Sequence, residues 1–116
     1  MIKYRVNILE YAKEFLDKLD EKSRKKVLFN IWKSRELNDP ELFKKLSGNI
    51  WEFRTKFSTK QIRLLAFWDK TDEEDTLVIA TNGFIKKTKK TPKAEIEKAE
   101  KIRIEYFEQK LRRKLK

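Results

Sequence analysis

The apolar residues change their spacing along the chain, and this switching of period restricts it to folds that pack helices on a sheet. Ile2, Tyr4, Val6 and Ile8 alternate with Lys3, Arg5 and Asn7, the period of two of a half-buried strand. From there Ile8, Ala12, Phe15, Leu16 and Leu19 recur at helical spacing, with Glu10, Lys13, Glu14, Asp17 and Lys18 opposite, which predicts an amphipathic helix. Asp20-Glu21-Lys22-Ser23 offers N-cap candidates for a second helix whose apolar stripe is Val27, Leu28, Ile31 and Trp32, running towards Leu37. Two helices so closely joined predict a hairpin. Asn38-Asp39-Pro40 ends it, and Glu41-Leu42-Phe43 reads as one short helical turn closing near Gly48.

After Gly48 the period returns to two, with strands expected at about 50–57, 61–68 and 76–84. In the first, Trp51, Phe53, Thr55 and Phe57 share one face and Glu52, Arg54 and Lys56 the other. In the second, Ile62, Leu64, Ala66 and Trp68 oppose Gln61, Arg63, Leu65 and Phe67. With Ser58-Thr59-Lys60-Gln61 as the loop, Phe57 pairs with Ile62, Lys56 lies opposite Arg63, and Arg54 is diagonal to it on the same face. Residues 69–75 read as a solvated acidic turn, to which no metal is assigned. Thr91-Pro92 supplies an N-cap and a first-turn proline for a last helix with Ile96, Ala99, Ile102 and Phe107 on its buried side. Trp51, Phe53, Trp68, Ile31, Trp32 and Phe15 are expected in the core. The fold class is therefore α+β in the order β-α-α-β-β-β-α: a twisted, mainly antiparallel sheet, an N-terminal helical hairpin and a C-terminal helix.

At 116 residues the chain suits one domain, taken as residues 1–110 followed by a basic tail at 111–116. The sequence has no Cys and no His, which removes disulfides, thiolate nucleophiles, imidazole bases and most zinc sites. Two glycines leave neither a P-loop nor a dinucleotide-binding turn. With no signal-like or membrane-spanning apolar stretch, the expected location is the cytoplasm. The net charge is +11, and it is concentrated: residues 86–116 hold 13 basic and 5 acidic side chains. Such a field draws polyanions, nucleic acid first.

Arg54, Arg63, Lys86 and Lys87 are the candidate catalytic residues. Guanidinium pairs bind phosphate oxygens through planar donor forks and stay charged as negative charge builds up. A lysine among other cations gives up its proton more readily, so Lys86 or a neighbour is a candidate to take the proton of a ribose 2′-hydroxyl. The plainer alternative is an exposed basic loop beside two strand arginines paired with Glu52. Lys44, Lys45, Lys56, Lys89 and Lys90 are candidates for RNA-backbone contact. Phe84, and also Phe67, are candidates for stacking on a base, or else simply core.

Leu46-Ser47-Gly48-Asn49-Ile50-Trp51-Glu52-Phe53-Arg54, then Ile62-Arg63-Leu64-Leu65, then Gly83-Phe84-Ile85-Lys86-Lys87-Thr88 with Thr91-Pro92 and a Glu/Lys-rich closing helix form an ordered signature. Over about residues 2–109 the chain resembles HigB-type toxins of the RelE/ParE superfamily, in the phage-derived branch. The resemblance implies a RelE-like fold and the toxin of a type II toxin–antitoxin pair. It implies a ribosome-dependent messenger endoribonuclease that stops translation, with the 2′-oxygen attacking the adjacent phosphate and no metal or other cofactor. It carries the phosphate clamp to Arg54 and Arg63 and the remaining charge or proton handling to Lys86 or Lys87. The implied partners are a HigA-like helix-turn-helix antitoxin, the ribosome and mRNA, with no membrane. RelE-like members can use a C-terminal tyrosine, and here the late tyrosine is Tyr106. Two other readings share the scaffold: a ParE-like gyrase poison and a non-catalytic RNA-binding module.

Overall fold

Residues 62–67 are all buried, and they lie in the strand at the centre of the sheet, covered on both faces. The computed structural model describes residues 3–72 and 76–115, so Ile2 of the expected first strand and Glu73-Glu74-Asp75 of the acidic turn lie outside the described residues. The elements are β1 (Arg5–Ile8), α1 (Glu10–Lys18), α2 (Glu21–Glu36), β2 (Phe43–Ser47), β3 (Ile50–Phe57), β4 (Lys60–Asp69), β5 (Leu77–Ile85) and α3 (Lys93–Lys114). The fold is α+β: three helices on a five-stranded sheet in the order β1-β5-β4-β3-β2. β1 runs parallel to β5, and the other pairs are antiparallel.

The short helical turn expected through Glu41-Leu42-Phe43 is instead a turn followed by β2. Leu42 and Phe43 donate their N–H groups to Asp39 O, after which Phe43, Lys44 and Lys45 pair with Phe53, Glu52 and Trp51. A bulge between Lys45 and Ser47 breaks the alternation that would have advertised this strand.

The sheet separates two apolar layers. On one face Phe53, Ile62, Leu64, Ala66, Val78 and Ala80 pack against Ala12, Leu16, Val27 and Ile31 of the helical hairpin. On the other, Ile50, Leu65, Phe67 and Ile79 pack under Ala99 of α3, with Ile96 and Phe107 alongside. The hairpin approaches closely at Gly83, where an added Cβ would collide with the Phe15 ring and Leu64. Phe67 is fully buried in the α3 layer, so it offers no surface to a base. Ile31 and Phe53 are core residues as expected, and Phe15, Trp51 and Trp68 are partly buried.

Trp32 is not in the core; it is 52% exposed. Helix α2 is rotated so that Ser23, Asn30 and Ser34 are buried with Val27 and Ile31, leaving Leu28, Phe29 and Trp32 outward. The buried polar groups are bonded: Asn30 Nδ2 donates to Thr55 Oγ1, and Ser34 Oγ donates to Ile31 O while sharing a hydrogen bond with Tyr4.

Three polar fastenings hold the frame. Asp20 caps α2 through the Ser23 N–H and hydroxyl, and its Oδ1 also accepts from Lys60 Nζ on β4. Thr81 is the extra residue in the β4–β5 ladder, between the Ala66↔Ala80 and Leu65↔Asn82 pairs. Its hydroxyl is within bonding distance of Leu65 O and Asn82 Oδ1, and Asn82 Nδ2 donates to the backbone and side chain of Glu95, fixing the start of α3. Asp69, expected in a solvated turn, is the fully buried last residue of β4. It accepts from Tyr106 OH and Lys110 Nζ, each at 2.6 Å, and from Thr71. Its burial disfavours the charge, but these hydrogen bonds outweigh that and hold the carboxyl well below its ordinary range.

Candidate functional site

Arg54 and Arg63 are directly opposite each other, because Ser58 and Thr59 alone close the β3–β4 hairpin. Ser58 takes a positive φ of 56°, Phe57 pairs with Lys60, and Thr55 pairs with Ile62. This tighter register differs from the expected pairing of Phe57 with Ile62 by an even step, so every residue keeps its face while the arginines move from diagonal to opposed.

Two guanidiniums directly opposed would repel, and Glu52 resolves this. It precedes Arg54 by two residues and so shares its face of β3. Its Oε1 is 3.4 Å from Arg63 Nε and 3.7 Å from Arg54 Nε. Its Oε2 accepts from the Thr91 hydroxyl at 2.7 Å. Thr91 therefore does not cap α3, which starts at Lys93 with Pro92 at its N-cap; it orients the carboxylate instead. Neither Nε–H reaches hydrogen-bond geometry, so two buried donors face one acceptor without closing on it.

The arginines differ in role. Arg63 is 4% exposed and donates to Gln61 Oε1 at 2.9 Å and to Ile62 O at 3.3 Å. Its basicity is lowered by burial first; Glu52 opposes that and Arg54 adds to it. Arg54 is half-buried and opens on two clefts. The first, of about 400 Å³, runs between α2 and the hairpin end of β3, with Lys26, Asn30 and Lys33 on one side, Arg54, Lys56, Gln61 and Arg63 on the other, and the acids Asp39 and Glu41 also in its lining. The second, of about 340 Å³, is walled by Lys44, Lys45, Glu52, Lys86, Lys89, Lys90 and Thr91.

Of the residues expected at a site, the structure brings together Arg54, Arg63, Lys44, Lys45, Lys56, Lys86, Lys89 and Lys90 around these clefts. Lys86 is held there by its backbone N–H, which donates to Gln61 O at 2.7 Å. Lys87, its neighbour, is exposed and lines neither cleft. Phe84 pairs across the ladder with Arg63 and packs into the α3 layer, outside both clefts. Tyr106 is engaged by Asp69, six residues and about 20 Å along β4 from Arg63. Burial and the Asp69 hydrogen bond both push its phenol above the ordinary range.

Lys26, Asn30 and Lys33 carry no signal of the site in the sequence, since a helix's approach to a sheet is non-local. Glu52 was legible in part, through its spacing from Arg54.

A family model described as Phage derived protein Gp49-like (DUF891) matches residues 14–103, most of the chain and all of both arginine strands. The chain belongs to the Gp49-like family. This is a phage-derived family of toxins of the RelE/HigB type. Among curated proteins, none matches. The Gp49-like match spans α2, the whole arginine site and the first half of α3, and no helix among the described residues is long and apolar enough to cross a membrane.

Proposed function

We propose that this Gp49-like protein is the toxin of a toxin–antitoxin pair and cuts messenger RNA on the ribosome, with the Arg54 clefts as its active site. The observation that carries the reading is the pair of opposed arginines held by one buried carboxylate at the mouth of a lysine-walled cleft. Two guanidiniums against one carboxylate leave a net positive charge where a phosphodiester would lie.

In this mechanism Arg54 binds the scissile phosphate and Lys86 takes the proton of the 2′-hydroxyl. The 2′-oxygen bonds to phosphorus, the P–O5′ bond breaks, and the leaving 5′-oxygen takes a proton from water, so the products are a 2′,3′-cyclic phosphate and a 5′-hydroxyl. Arg63 positions Arg54 through Glu52, since it is buried and its two terminal nitrogens donate to Ile62 O and Gln61 Oε1. Lys44, Lys45, Lys89 and Lys90 hold the flanking backbone. The antitoxin is expected to be acidic over its contact segment, to match a chain of net charge +11.

A non-catalytic RNA-binding module is the second reading, favoured by the engagement of both arginines with Glu52. Producing the chain alone and mapping message ends, beside Arg54→Ala, separates the two. Growth arrest with new message ends that vanish in Arg54→Ala supports the nuclease; a harmless, folded protein that leaves message intact supports the binding module.

A further inference from the structure

The two Arg54 clefts are not isolated. Arg54 lines both of them, and Lys45 lines the second together with a third, of about 510 Å³, at the opposite end of the β2–β3 hairpin. Trp51, three residues before Arg54 on β3, lies about 10 Å along the strand from it. The clefts thus form a chain around the β2 edge.

The third cleft has a different chemistry from the first two. Trp51 and Trp68 meet edge to face at 5.5 Å, and Phe107 approaches from α3. The cations are Lys45, Lys70 and Arg103. Lys70 Nζ is 5.2 Å from the Trp68 ring centre, and Arg103 is fixed by Glu100, with Nη2 to Oε1 at 2.6 Å. No carboxylate lines the cleft among the described residues. The Trp68 Nε1–H is buried with no hydrogen-bond partner. An indole donor left unmet is an expensive arrangement in a merely structural cluster.

Aromatic rings among fixed cations suit a flat heteroaromatic ring carried on a phosphodiester chain: the rings stack on the base and the cations hold the phosphates. A purely apolar ligand would make no use of the Lys45 and Lys70 charges, and a lone phosphate would leave the rings unused. We propose that the Trp51–Trp68–Phe107 cleft is a nucleobase-binding subsite for single-stranded RNA, reached along the lysine track through Lys45 from the Arg54 clefts. It deepens the nuclease reading, on which it rests for the direction of the strand, but it is read out by binding alone.

The test uses the intact chain carrying Trp32→Phe, which removes the exposed α2 indole and leaves Trp51 and Trp68 as the only tryptophans. The probe is a short single-stranded RNA with 2′-O-methyl groups throughout, which binds without being cut. Saturable quenching of the tryptophan emission is expected. Lys70→Ala and Lys45→Ala should each weaken binding several-fold and flatten its salt dependence by about one unit of the logarithmic slope. These residues are on the surface, so the variants keep the fold.

RNA binding with unchanged emission, or affinity indifferent to Lys70→Ala, overturns the subsite, and so does absence of binding. Message cleavage that persists in either case leaves the nuclease standing while the subsite falls. Quenching by RNA in a chain that cuts no message does the reverse.

Discussion

Arg54 and Arg63 face each other across β3 and β4, and both turn their Nε atoms to the same carboxylate oxygen of Glu52, at 3.7 and 3.4 Å. The stability of the β3–β4 pair and the charge of the cleft therefore depend on one buried acid.

Removing that acid should be costly. Glu52→Gln leaves opposed guanidiniums with no counter-charge, one of them fully enclosed, and is expected to destabilise the chain by about 3–5 kcal/mol. Thr91→Val removes only the hydroxyl that orients the carboxylate and should cost about 1 kcal/mol. Urea unfolding of both variants measures the difference; equal, small losses would show that Glu52 is not the keystone of the pair.

The two arginines should separate by phenotype. Arg54→Ala is expected to abolish growth arrest while leaving the unfolding midpoint nearly unchanged, because Arg54 is half-buried at the cleft mouth. Arg63→Ala should lower the midpoint as well, since its site is enclosed and Glu52 then loses a partner. Arg54→Lys should not restore arrest, because a point charge lacks the planar fork. Arrest that survives in Arg54→Ala would move the active site elsewhere.

Tyr106 tests which residues the chemistry does not use. With its hydroxyl spent on Asp69 and its phenol pushed up, it is no base, and Tyr106→Phe should keep full toxicity while costing about 1 kcal/mol of stability. Loss of toxicity in a stably folded Tyr106→Phe protein would contradict this.

Acid should loosen α3 through Asp69. Its carboxyl titrates lower in the folded than in the unfolded chain, so its contribution is complete above the ordinary aspartate value, about 4, and is lost as pH falls below it. The stability difference between the parent and Asp69→Asn should therefore shrink on acidification below about pH 4. A difference constant from pH 7 to pH 3 would show that the carboxylate charge is not what anchors Lys110 and Tyr106.

The fold was legible where local pattern and tertiary need agree. The alternation through Trp51, Phe53 and Thr55 and the stripe of Ala12 and Leu16 each have one solution. Where apolar residues offered two faces, pattern failed. Val27, Leu28, Ile31 and Trp32 fit a stripe, yet α2 turns Ser23, Asn30 and Ser34 inward because Thr55 and Tyr4 supply partners that only the folded chain reveals. β2 was missed because its strand character comes from pairing with β3 and is blurred by a bulge.

The site was half legible. Strand spacing put Glu52, Arg54 and Arg63 on one face, but their exact opposition depended on a two-residue turn. The division between an open Arg54 and an enclosed Arg63 depends on β5, which pairs Phe84 with Arg63 and ties Lys86 to Gln61, and no local pattern encodes that.

The central claim is that the Arg54 cleft cleaves RNA by attack of its own 2′-hydroxyl. The most direct measurement is the end chemistry of message incubated with purified protein and translating ribosomes, with Arg54→Ala alongside. Fragments bearing 2′,3′-cyclic phosphate and 5′-hydroxyl ends, absent with Arg54→Ala, are the predicted result. Intact message, or fragments with 3′-hydroxyl and 5′-phosphate ends, would contradict it.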